Sequence, residues 1–192
     1  MRTQQRTLVA LFALALTAIG CKKDEDDPIT PAPPTNEEEL ITTVKLHFRS
    51  VNDVEHKLFS FVDEDGDGGA APVITAEPLS VDSVYAVEIE VLNESVEPAD
   101  DITVEIEEEG TAHQFFFRPN GVAATAVYAD TDVNGRPIGL LSTWTLGSAG
   151  SGTVTVTLRH EPDKNAAGVS SGDITNAGGE TDIEVVFPLA VE

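Results

Sequence analysis

The chain has 192 residues, with 11 Lys+Arg against 34 Asp+Glu and a formal net charge of −23. A field of that sign repels phosphate backbones and excludes nucleic acid as a partner class. A single cysteine allows no internal disulfide, so a hydrophobic core must hold the fold, and the length suffices for one domain.

Arg2 and Arg6 precede an apolar stretch from Thr7 to Ile19, the charged start and short hydrophobic run of a secretory signal. The stretch is shorter than the roughly 20 apolar residues of a membrane span. Leu16-Thr17-Ala18-Ile19-Gly20 leads into Cys21 and resembles the lipobox of a bacterial lipoprotein. The expected mature chain starts at a lipidated Cys21. Residues 1–20 take Arg2 and Arg6 with them and no acid, so its net charge moves to −25. Several acyl chains, at about 0.8 kcal/mol per buried methylene, make such an anchor effectively permanent.

Lys22-Lys23-Asp24-Glu25-Asp26-Asp27 follows at once. It resembles the surface-export signal of Bacteroidota lipoproteins, which implies the outer membrane and its cell-surface face. Residues 21–39 then read as a tether carrying Pro28, Pro31, Pro33 and Pro34. At about 3.1 Å per residue, proline-rich chain of this length reaches roughly 55 Å from the membrane.

From residue 40 to residue 192 the pattern is that of half-buried strands. Val44, Leu46 and Phe48 alternate with Lys45, His47 and Arg49, and Tyr85, Val87, Ile89 and Val91 alternate with Glu88 and Glu90. Val154, Val156 and Leu158 alternate with threonines, and a last strand runs through Ile183, Val185, Phe187, Leu189 and Val191. Less regular strands are expected at 57–62, 113–118, 122–129 and 139–146. The expected fold is all-β, an antiparallel Ig-like β-sandwich of about seven to nine strands. One segment, 101–109, reads as a short helix capped by Asp101 with Ile102 and Ile106 inward, or as a strand; its three glutamates favour the helix.

Two acidic turns are candidate Ca²⁺ loops. Asp63, Asp65 and Asp67 with Gly68 fit D-x-D-x-D-G, and Asp130, Asp132 and Asn134 with Gly135 fit D-x-D-x-N-G. Alternating oxygen donors with a glycine sixth are how an EF-hand loop curls round the ion. The twelfth position should be glutamate but is Ile74 or Leu141. Asp, Asn and Gly are also what hairpin turns require. Of the four histidines, His47 and His56 sit opposite each other if the first hairpin turns between Val51 and Asn52, where they would share Zn²⁺ or Cu²⁺ with Glu55 nearby. His113 and His160 read as strand-end residues. Phe115-Phe116-Phe117 places aromatics on both faces of a strand. Either both faces are covered, or Phe116 is an exposed contact for a partner.

No G-x-S-x-G, P-loop or H-E-x-x-H occurs, and no motif requires a cofactor. The chain therefore reads as a non-enzymatic module. Asn36–Val44, Asp65–Gly69 with Ala71–Ile74, His113–Phe117, Ala129–Gly135 and Val156–Lys164 together resemble a family of small Bacteroidota surface lipoproteins. Its members are sometimes labelled type 1 periplasmic-binding proteins, a class that is larger and α/β. The resemblance covers nearly the whole mature chain and carries over no functional residue. The expected function is binding or accessory work for an outer-membrane partner, such as a TonB-dependent transporter. Metal capture (Ca²⁺, Zn²⁺ or Cu²⁺) and a purely structural surface role are the alternatives.

Overall fold

The structure, a computed structural model, describes residues 40–66 and 69–192. The expected signal, Cys21, the expected tether and Asp67 lie outside the described residues. Strands with period-two alternation can bury only one face, and two sheets meet here to bury theirs. In chain order the elements are β1 (Thr43–Ser50), β2 (His56–Val62), β3 (Val73–Ala76), β4 (Val84–Asn93), β5 (Asp100–Asp101), α1 (Ile102–Glu108), β6 (His113–Asn120), β7 (Ala124–Tyr128), β8 (Leu141–Leu146), β9 (Gly150–His160) and β10 (Glu180–Val191). The larger sheet has the order β3-β2-β1-β4-β8-β7, with β5 beside β4, and the smaller is β10-β9-β6. Every pairing between these strands is antiparallel.

The fold is an all-β sandwich, as the alternation implies. Ten strands form, one above the expected range, and the two that the pattern did not offer are the short elements β3 and β5. The exposed VITA run of β3 lacks a buried face to reveal it, and β5 is two residues long.

Register places the alternating residues where the pattern requires. Leu46 pairs Ile89 on one side and Phe59 on the other. Opposite them, Val154, Val156 and Leu158 of β9 join Val185, Phe187 and Leu189 of β10 in one core. Aromatic rings bridge the sheets: Phe59 lies 5.7 Å from Phe187, and Phe117 lies 5.5 Å from Trp144, centroid to centroid. Such contacts contribute about 0.5–1.5 kcal/mol each beyond the area they bury.

Segment 101–109 is the helix rather than the strand. The Thr103 amide donates to Asp101 Oδ1 at 3.1 Å, the N-cap bond, and Ile102 and Ile106 are buried. Thr103 Oγ1 also accepts from the Val91 amide at 2.8 Å, which ties α1 to β4.

Phe116 is not an exposed contact. It is 2% exposed and packs against Val169 and Ala177 of the 161–179 connection, which covers the outer face of the smaller sheet. Phe115 faces the inter-sheet core. The strand is covered on both faces even though β6 stands at a sheet edge.

Candidate functional site

His47 and His56 do not sit opposite each other. His56 pairs Arg49 and His47 pairs Leu58, because the hairpin centres between Asn52 and Asp53. The Ser50 amide donates to the Glu55 carbonyl at 2.9 Å, and Asp53 takes a left-handed conformation, which adds a residue to the turn. The two imidazoles share a face, but each engages its own carboxylate. His47 Nε2 is 3.3 Å from Glu90, and His56 Nε2 is 3.3 Å from Asp53. Glu55, the expected third ligand, instead accepts from the Tyr85 and Ser80 hydroxyls, which hold its carboxyl below the usual range.

The second acidic turn is closed by the chain itself. Asp132 Oδ1 accepts from the Asn134 and Arg136 amides at 2.8 and 3.0 Å. Asp130 accepts from the Gly139 and Leu141 amides at 2.8 and 2.9 Å. At the remaining Asp132 oxygen sits a cation, the ammonium of Lys164, at 3.1 Å. Lys164 also donates to the Gly110 and Pro137 carbonyls and is 5% exposed. The D-x-D-x-N-G pattern here builds a turn neutralised by a lysine, which corrects the expectation of Ca²⁺ at Asp130, Asp132 and Asn134. In the first acidic turn Asp65 Oδ2 accepts from the Ala70 amide at 2.8 Å, and Asp63 is half-buried. The second turn, with Asp132 committed to two amides and Lys164, does not gather the six to eight oxygens that Ca²⁺ takes.

Among the described residues, one group of three side chains meets the spacing of a metal centre: His113, His160 and Asp182, with ligand atoms all within 4.8 Å of one another. Its assembly is a matter of register. His113, the first residue of β6, pairs His160, the last of β9. On the other side of β9 the pairing with β10 shifts between Thr181 and Ile183, and Asp182 occupies that irregularity. An irregularity of this kind re-aims a side chain that strict alternation would send to the other face.

His113 Nε2 lies 3.1 Å from His160 Nδ1 and 4.0 Å from Asp182 Oδ2. The rings stand edge to face at 84°. His113 Nδ1 faces the Glu109 carbonyl at 3.3 Å. A carbonyl only accepts, so Nδ1 carries the proton and Nε2 presents a lone pair. Burial pushes the His113 imidazole below its ordinary pKa, outweighing the Glu109 carbonyl, so the ring is neutral near pH 7.

Sequence reasoning missed this group because each histidine, taken alone, is a strand end. The available signal was parity. His113 shares the parity of Phe115, and His160 that of Leu158, so both point inward once their strands pair.

A second feature lies on the outer face of the larger sheet. A groove of about 780 Å³ runs across β1, β2, β4 and β8 beside α1. Its lining includes His47, Arg49 and His56 together with Glu88, Glu90 and Glu107. No family model matches the chain, and no match to it is found among curated proteins or solved structures.

Proposed function

We propose that this chain is a lipid-anchored, non-enzymatic binding module of the outer-membrane surface that docks on an outer-membrane protein such as a TonB-dependent transporter. The observation that carries the reading is the groove on the larger sheet. Its walls hold basic and acidic side chains on paired strands, with Leu58 and Leu141 flanking the His47–Glu88 pair across the sheet. A sheet face is a rigid base, and interspersed charges on it set the register and specificity of a docked partner more than its raw affinity. The lipobox-like sequence before Cys21 and the acidic run after it support the surface address. The proline-rich tether gives the reach.

The test is site-specific photocrosslinking of the full chain in its own cells. A photoreactive residue at Thr143, in the groove, is expected to capture one discrete outer-membrane protein. The same probe at Val186, exposed on β10 of the opposite sheet, is expected to capture none. Equal, diffuse labelling from both positions would remove the groove as a docking surface.

A further inference from the structure

We propose that His113, His160 and Asp182 form a site for a divalent first-row transition-metal ion of the Zn²⁺ or Cu²⁺ class. The inference does not rest on the docking surface, which lies on the other sheet.

The donor set decides the class of ion. Two imidazole nitrogens and one carboxylate oxygen suit Zn²⁺ and Cu²⁺, whereas Ca²⁺ and Mg²⁺ require oxygen cages. Distances agree. Tetrahedral Zn²⁺ with Zn–N near 2.0–2.1 Å places two nitrogens about 3.3 Å apart. His113 Nε2 and His160 Nδ1 stand at 3.1 Å. Asp182 Oδ2, at 4.0 Å from His113 Nε2, completes the triangle after closing by roughly 0.7 Å toward that tetrahedral edge.

The surroundings are those of a ligand set. The Glu109 carbonyl fixes the His113 tautomer with Nε2 inward, the arrangement that orients metal-bound histidines through their second nitrogen. Without an ion, His160 Nδ1–H donates to His113 Nε2. With an ion, His160 carries its proton on Nε2 and both lone pairs converge. Asp182 supplies a negative charge to the donor set. Lys164 is close enough for His113 to feel its charge, but its ammonium is held by Asp132 and two carbonyls. His113 is 3% exposed and His160 9%, while the Asp182 side chain keeps 16%. Asp182 Oδ2 itself is buried, so protein encloses the three donor atoms, with the Asp182 side chain the most exposed member of the group. Three protein ligands leave the fourth position to water or to a donor brought from outside.

The experiment is isothermal titration of Zn²⁺, and separately of Cu²⁺, into the untagged full chain in detergent after chelator treatment. The expected result is one ion per chain with micromolar or tighter affinity, weakened at least tenfold in Asp182→Asn and in His160→Gln. The His47→Ala/His56→Ala double variant is expected to bind as wild type. Circular dichroism checks that each variant is folded. Co²⁺ is expected to give the visible absorption bands of a tetrahedral site, a readout independent of any substitution. Binding weaker than millimolar would overturn the proposal. So would affinity unchanged in both site variants, or affinity lost only in the His47/His56 variant.

Discussion

Lys164 Nζ lies 3.1 Å from Asp132 Oδ2, and both groups are buried. An ammonium that leaves water needs several acceptors, and this one has a carboxylate and two carbonyls. The two partners report the bond differently. Burial outweighs the attraction of Asp132 and lowers the Lys164 pKa. For Asp132, burial is outweighed by the Arg136 amide, Lys164 and the Asn134 amide, so its carboxyl is held low. The two halves of the pair depend on each other. Lys164→Met is expected to cost about 3–5 kcal/mol, since it leaves a buried carboxylate unpaired. The Lys164→Met/Asp132→Asn double variant is expected to cost less than the two single losses summed. Urea unfolding of the four proteins measures both.

The same carboxylate sets an acid limit. The folded pKa of Asp132 lies below its ordinary 3.8, so its contribution is complete above that value. It is lost as pH falls through the folded pKa, where the native state must take up the proton. Glu55, lowered by the Tyr85 hydroxyl and then by Ser80, acts in the same direction below its ordinary 4.5. Melting points recorded downward from pH 5 should fall less steeply for Asp132→Asn than for wild type. Parallel curves would mean that the carboxylate is not held low.

At alkaline pH Tyr128 contributes a dependence of its own. Its hydroxyl donates to the Phe115 carbonyl at 2.7 Å and accepts from Gln114 at 3.1 Å. Burial pushes its pKa up to about 12. Between 10 and 12 the unfolded chain loses this proton while the folded chain keeps it, so stability declines as pH rises through that window. Tyr128→Phe should remove part of the decline, and the ultraviolet phenolate titration should lose its highest step.

Phe116 makes the case for structure over contact. Phe116→Ala is expected to destabilise the domain by about 3–5 kcal/mol, because it empties the space between β6, Val169 and Ala177. The change should also raise hydrogen exchange across residues 161–179, which lose the ring they cover. A stability change near zero would place the ring at the surface after all.

The strands that alternate along their length were legible in the sequence, whereas 101–109 read as helix or strand, and only its glutamates favoured the helix that forms. What escaped depends on pairing between distant segments. His113 and His160 meet only because β6 and β9 adopt one register among several. Asp182 joins them only through a local shift that no pattern announces. Lys164, in Glu161-Pro162-Asp163-Lys164, looks like a solvated loop residue until the 130–136 turn folds over it. The His47/His56 expectation failed by a single residue in a turn, which is enough to replace an opposite neighbour with a diagonal one.

The closing stitch of the sandwich has a kinetic consequence. Leu79 forms a parallel bridge with Val191, with amide–carbonyl bonds of 2.9 Å from Leu79 to Ala190 and from Glu192 to Leu79. A segment made before the middle of the chain thus waits for one made more than a hundred residues later. Loop closure over such separations precedes any reward from the contact, which puts folding in the slow, milliseconds-to-seconds class of non-local β topologies. A chain still emerging from the ribosome cannot complete this sandwich.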